Sequence, residues 1–223
     1  MKFRYKIIMI FSFAILCCFA WQIKDKKAVF VMSKIDDKVI LLDAGHGGWD
    51  PGKVSADGIE EKEVNLEIAK HLQKYLETSG ATVLLTRNED EALGENKKAD
   101  LNERIAIARE GVVDIIISIH QNSFTQEKIK GAQVFYFKGS PEGESLAKCI
   151  QNRLKSTVDE NNNRQVKANE EYFILKNDDA TTVLVECGFL SNATEKELLN
   201  DEKYRRKISW AIYLGIIDYF NSI

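Results

Sequence analysis

"KVILLDAGHGGWDPG", residues 38–52, decides the fold of this chain. After Lys38, Val39–Leu42 form an unbroken apolar run that stops at Asp43, where glycines and a histidine take over. A short apolar run bounded by turn residues, with no polar alternation, is the pattern of a strand buried on both faces, as in a parallel sheet. The next stretch has helical spacing. In "EKEVNLEIAKHLQKYLETSG" Val64, Ile68, Leu72 and Leu76 recur every four residues until Gly80 ends the pattern. "ATVLLT" (81–86) is a second buried strand. "ADLNERIAIAREG" is a second helix, with Asp100 and Glu103 at capping-box spacing and Gly111 at its end.

The alternation continues along the chain. "VDIIISIH" (113–120) and "AQVFYFK" (132–138) read as strands, and Ser140 followed by Pro141 opens a helix. "EYFIL" (171–175) and "TTVLVECGF" (181–189) read as two more strands, and two helices close the chain, one from about residue 194. The last helix is strongly apolar, but its run is too short for a membrane span and Asp218 interrupts it. Strands alternating with helices imply βαβ units, and hence an α/β fold with a mostly parallel sheet and helices on both faces.

The chain has 223 residues, a formal net charge of -3 and 29% charged residues, so it lacks the basic field expected of a nucleic-acid binder. Its N-terminus carries Lys2, Arg4 and Lys6 ahead of an apolar run from Ile7 to Trp21. That is the layout of an export signal. If it is retained, this short run forms a membrane anchor that leaves the domain outside the membrane. We therefore expect a signal peptide or anchor over 1–23, a charged connector over 24–37 and a catalytic domain over 38–223. Cys149 and Cys187, the two cysteines beyond that segment, read as small core residues.

The three histidines divide by context. His71 lies inside the first amphipathic helix and reads as a packing residue, whereas His46 and His120 each follow or end an apolar strand. In a parallel sheet those strand ends share one edge, where open α/β sheets bind ligands. Glu186 ends another apolar run, an expensive place for a carboxylate unless it has a partner such as Arg87 or Arg104, or a function. Glu60, Glu61 and Glu63 open the first helix beside the same edge, where acidic residues also suit the helix dipole. Two imidazoles and one carboxylate, with a fourth position open to water, form a catalytic zinc set. A further carboxylate is then available to carry a proton. Spacing alone does not say which glutamate has which role.

Several stretches, in order, resemble the zinc-dependent N-acetylmuramoyl-L-alanine amidases of bacterial cell walls, the Amidase_3 family. They are "LLDAGHGGWDPG", "EKEVNLEIAKHL", "VLLTR", "LNERIAIA", "DIIISIHQNS", "GAQVFYF", "SLAKCIQNRL" and "VLVECGFLSN", and they cover about residues 38–220. The resemblance implies a single α/β domain around a mixed, mainly parallel sheet, and one Zn2+ per chain on His46, Glu61 and His120, with Glu186 as the catalytic glutamate. It also implies cleavage of the amide between the lactyl group of N-acetylmuramic acid and the L-alanine of the stem peptide, with peptidoglycan as the partner. The chain looks most like the germination-specific, spore-cortex subgroup, whose action allows muramic-δ-lactam to form.

The sequence departs from the family pattern in places. Ala180-Thr181-Thr182 replaces a proline common before "VLVE", and Gln121 stands where a small or aliphatic residue is usual. The few residues of "KGSPEGE" leave no room for the long regulatory helix that some relatives insert, so restraint falls to expression, zinc loading or an accessory protein. The rival readings are a peptidoglycan-binding domain inactive without such a partner, and a zinc peptidase acting within the stem peptide.

Overall fold

The computed structural model describes residues 34–177 and 179–223; the expected signal or anchor over 1–23 and most of the connector lie outside the described residues. Six strands and five α-helices follow one another as β1 (Val39–Ala44), α1 (Glu61–Thr78), β2 (Thr82–Leu85), α2 (Lys97–Glu110), β3 (Ile115–Asn122), β4 (Gln133–Phe137), α3 (Pro141–Arg153), β5 (Lys167–Asn169), β6 (Thr181–Phe189), α4 (Ala193–Asn200) and α5 (Glu202–Ser222). The sheet order is β2-β1-β3-β6-β4-β5. β2, β1, β3 and β6 run parallel. β4 joins β6 antiparallel and carries β5 parallel to itself. The sheet is thus mainly parallel, as the alternating pattern implies, and mixed, as the family resemblance implies.

The pleat sorts the apolar runs onto two faces. Ile40, Leu42, Ile115, Ile117, Ile119, Val183 and Val185 face α1, α3 and α5, among residues such as Ile68, Leu72, Ile150, Ile212 and Ile216. Leu41, Ile116 and Leu184 face the other way, toward Ile105 and Ala108 of α2 and toward Ile174 and Leu175. Burying one such aliphatic side chain contributes about 1.5–3 kcal/mol, so Leu72 and Leu76, both fully buried, fix the α1 face. The last helix packs into this core through Ile208, Ile212 and Ile216, and no described helix is long and apolar enough to cross a membrane.

Two expectations are corrected. "EYFIL" is not a strand: Phe173–Lys176 form a 3-10 turn, and the extra strand lies earlier, at Lys167–Asn169. The turn seats Ile174 and Leu175 against α2 without adding to the sheet, so an apolar run served packing alone. The cap of α2 is Asn96 rather than Asp100, its side chain accepting from the Ala99 N–H at 3.1 Å. Asp100 lies within the first turn and accepts instead from the Leu93 N–H and from Arg104 Nε. Cys149 and Cys187 are both free, Cys187 in the core and Cys149 half-buried.

Candidate metal centre

The carboxyl ends of β1, β3 and β6 open on one cavity of about 420 Å³, lined by His46, Glu61, His120 and Glu186 together with Asp50 and Tyr172. Parity explains the grouping. His120 and Glu186 continue the face that carries Ile116 and Leu184, and they are register partners on adjacent parallel strands. The register breaks just after His120, an irregularity that ends regular pairing beside the site.

His46 arrives from the turn after β1, which it enters in the left-handed region with φ 63°. That conformation costs a non-glycine residue about 1 kcal/mol. Glu61 is the first residue of α1 and is 4% exposed, its inward side reaching the sheet edge. Of its neighbours in the first turn, Glu60 pairs with Lys62 and Glu63 is exposed, so Glu61 alone turns into the cavity.

His46 Nε2 and His120 Nδ1 lie 3.2 Å and 3.0 Å from the same oxygen, Glu61 Oε1. One ligand atom from each of the three residues lies within 4.8 Å of the others. The imidazoles meet edge to face, with centroids 5.0 Å apart and planes at 79°. The other imidazole nitrogen of His46, Nδ1, lies 2.8 Å from Asp50 Oδ2, an arrangement in which an outer carboxylate orients a ligating histidine. The Gln121 N–H donates to Glu61 Oε1 at 3.0 Å and the Lys53 N–H to Oε2 at 2.8 Å, so the backbone fixes this carboxylate in place. Burial works against the Glu61 charge, but the two imidazoles hold the carboxyl far below the usual range. His46 is pushed the opposite way: burial disfavours its proton, yet Glu61 and Asp50 raise its pKa overall.

The backbone around the cluster is tight. A Cβ on Gly45 would sit 2.2 Å from the His120 ring, and one on Gly52 would sit 2.7 Å from both Glu61 Oε2 and His46 Cδ2. A borderline divalent ion suits this donor set of two imidazoles and one carboxylate, and zinc is the common case. The residues fit such an ion.

Among the described residues Glu186 has no arginine partner. Arg104 pairs with Asp43 at 2.6 Å and Asp100 at 2.7 Å, and Arg87 has no carboxylate among its hydrogen-bond acceptors. Glu186 Oε2 is buried without a partner, and Oε1 has only the Tyr172 hydroxyl at 3.5 Å. Burial therefore dominates and pushes its carboxyl up to about 7; the Glu61 charge adds to the rise and the two histidines oppose it. The Tyr172 phenol is itself raised to about 12 by burial and by the Glu186 charge. His71 is a packed helix residue, 7% exposed, as its spacing predicts.

Fold and site define a class of protein: an open α/β domain with a His, Glu, His cluster and a separate buried carboxylate at the carboxyl edge of its parallel strands. The family profile for N-acetylmuramoyl-L-alanine amidase, Amidase_3, matches residues 40–218. The germination-specific N-acetylmuramoyl-L-alanine amidase of Bacillus subtilis is 37% identical over 194 residues, covering 83% of this chain and 81% of that protein. The CwlD amidase of Clostridioides difficile, solved in complex with the GerS lipoprotein, is 43% identical with a TM-score of 0.82, covering 84% of this chain and 100% of that one. An N-acetylmuramoyl-L-alanine amidase of Clostridium difficile 630 is 28% identical with a TM-score of 0.76, covering 84% and 98%. The chain belongs to the Amidase_3 family of N-acetylmuramoyl-L-alanine amidases, and it is an enzyme of that class.

Asp50 and Tyr172 escape the sequence reading. Asp50 stands four residues after His46 and has that spacing as its only signal. Tyr172 precedes the 3-10 turn and has no periodic pattern to mark it.

Proposed function

We propose that this chain is an exported, zinc-dependent hydrolase of peptidoglycan. It cleaves the amide between the lactyl group of N-acetylmuramic acid and the L-alanine of the stem peptide. The observation that carries the reading is the pair of features in one cavity: three metal-type donors around Glu61 Oε1, and beside them a buried, unpaired Glu186. His46, Glu61 and His120 would hold the ion. Zinc in such a set polarises a carbonyl and acidifies water.

The chain's own groups supply the rest. Asp50 holds the His46 ring through Nδ1, leaving Nε2 for the cluster. Glu186 takes the proton of the attacking water at a carboxylate oxygen. It then delivers that proton to the L-alanine nitrogen as the C–N bond breaks, leaving a lactyl carboxylate and a free amine. A carboxyl near pH 7 is matched to both halves of that transfer, and a bound cation favours its ionised form. Tyr172, packed edge to face on Phe135, aims its hydroxyl at Glu186 and limits where that carboxylate swings.

Residues 38–223 form the catalytic domain in this reading, with 1–23 as signal or anchor. The kinship with a germination-specific amidase supports a role in the spore cortex, in the step that precedes muramic-δ-lactam formation. The complex of the CwlD relative with a lipoprotein supports an accessory protein here too. The test is digestion of peptidoglycan by the chain freed of its N-terminal apolar segment, with and without zinc, read by mass spectrometry. New N-terminal L-alanine on intact glycan is expected; cuts within the stem peptide would replace the amidase reading with a peptidase one. Glu186→Gln that keeps full activity with zinc bound would remove Glu186 as the proton carrier.

A further inference from the structure

Two arginines lie beneath the His46 turn, both only 2% exposed. Arg87 has no carboxylate partner among its hydrogen bonds. It donates from Nε to Ala44 O at 3.0 Å, from Nη2 to Gly45 O at 3.3 Å and Lys62 O at 2.7 Å, and from Nη1 to Glu89 O at 2.9 Å. Arg104 spends Nε on Asp100 and Nη1 on Asp43, then reaches Ala44 O from Nη1 at 2.9 Å and His46 O from Nη2 at 2.9 Å. Three consecutive carbonyls, of residues 44, 45 and 46, are thus held by two guanidiniums, and Asn65 adds a second donor to Gly45 O at 3.0 Å. Burying a guanidinium on carbonyls alone is a costly way to stabilise a core. The proximity of Arg104 also makes the Arg87 charge harder to keep.

What the arrangement secures is a direction. The His46 turn has a left-handed residue at its centre, and the fork of each guanidinium fixes where the carbonyls on either side point. Asp43 ties this base to the sheet by accepting from Ser118 and Thr86 as well as Arg104. We propose that Arg87 and Arg104 are positioning residues that hold the turn at residues 44–46 in its metal-ready form before any ion arrives, so that they set metal affinity rather than the fold. The proposal rests on the metal reading above.

The test uses the whole chain in apo and zinc-loaded forms, with Arg104→Lys and Arg87→Lys. Lysine keeps the charge but cannot reproduce a fork that bonds four carbonyls at Arg87, or two carbonyls and two carboxylates at Arg104. Zinc affinity by chelator competition is expected to fall about 10- to 100-fold, the range for loss of outer-shell support. A second readout needs no metal. In the apo wild type the N–H groups of Gly45 and Gly47, bonded to Ile119 O and Asp50 O, are expected to exchange slowly. In the variants they exchange faster while the amides of Ile68 and Leu72 in α1 keep their protection. Asp100→Asn, which takes the carboxylate charge away from Arg104 Nε and from the Leu93 N–H, shifts both readouts the same way by less and serves if a lysine variant fails to fold. Folded variants with wild-type zinc affinity and unchanged exchange at Gly45 and Gly47 overturn the proposal. Wild type that protects the turn yet takes up no zinc overturns the metal reading and leaves the clamp standing as a structural one.

Discussion

Replacing Glu186 with glutamine will stabilise the metal-free protein at alkaline pH and leave it unchanged in acid. Glu186 is 7% exposed, and of its two oxygens one is without a partner and the other has a single 3.5 Å contact. Little is lost when the carboxylate becomes an amide of the same shape. The carboxyl stands at about 7 in the folded protein against an ordinary 4.5. The native state therefore holds the proton more tightly than the unfolded chain. Its contribution to stability is complete below pH 4.5 and is lost as pH rises through about 7. A rise of that size corresponds to about 3 kcal/mol. Glutamine carries no such penalty, so Glu186→Gln and wild type should unfold together near pH 4.5 and differ by up to about 3 kcal/mol near pH 8.5, the variant being the more stable. At roughly 2–4 °C per kcal/mol for a domain of this size, the melting temperatures separate by about 6–12 °C. Urea denaturation in EDTA across that pH range, with the slope m held equal, measures the effect directly. Added zinc should narrow the gap at high pH, because a bound cation favours the carboxylate. A difference that does not change with pH, or a variant less stable than wild type in base, would refute the account of Glu186 as a charge buried without a partner.

Other perturbations separate the parts of the site. Gly45→Ala forces a methyl group into the His120 ring, 2.2 Å away where about 3.4 Å is needed for contact; hydrolysis and zinc uptake should both be lost while far-UV circular dichroism stays native. Asp50→Asn removes the carboxylate from His46 Nδ1, and zinc affinity should drop about 10- to 100-fold in a chelator titration. Tyr172→Phe removes the one hydrogen-bond donor that Glu186 has among the described residues, and that donor favours the charged form, so the pH midpoint of wild-type hydrolysis assigned to Glu186 should move upward in the variant's pH-rate profile.

The fold was legible because most of its signals are local. Apolar runs such as Val39–Leu42 and Val183–Val185 have no polar alternation, the pattern of a strand covered on both sides. The four-residue spacing of Val64, Ile68, Leu72 and Leu76, close to the 3.6-residue turn, likewise reads as a helix face. "EYFIL" failed because a short apolar run does not reveal its backbone: Ile174 and Leu175 are buried in a 3-10 turn as deeply as strand residues are. The strand that takes the sheet edge, "KAN", has no apolar run because it is covered on so little of its surface. Asp100 misled as a cap because its carboxylate is committed elsewhere, to Leu93 N–H and Arg104, contacts that arise only from the tertiary fold.

The site divides along the same line. His46, His120 and Glu186 were visible because each interrupts or ends an apolar run at a strand terminus, where a polar residue needs a reason. Glu61 could not be separated from Glu60 and Glu63 by spacing, and the family resemblance singled it out; in the structure it alone turns inward, and backbone donors of Lys53 and Gln121 wait there for its two oxygens. The support beneath them is a different kind of information. Arg87 and Arg104 serve His46 through carbonyls, groups that every residue carries, so no residue-type pattern marks that contact. A site of this kind is therefore announced by its ligands and tuned by partners that the sequence hides. Substitutions at the hidden partners should accordingly change metal affinity in steps, whereas substitutions at His46, Glu61 or His120 abolish it.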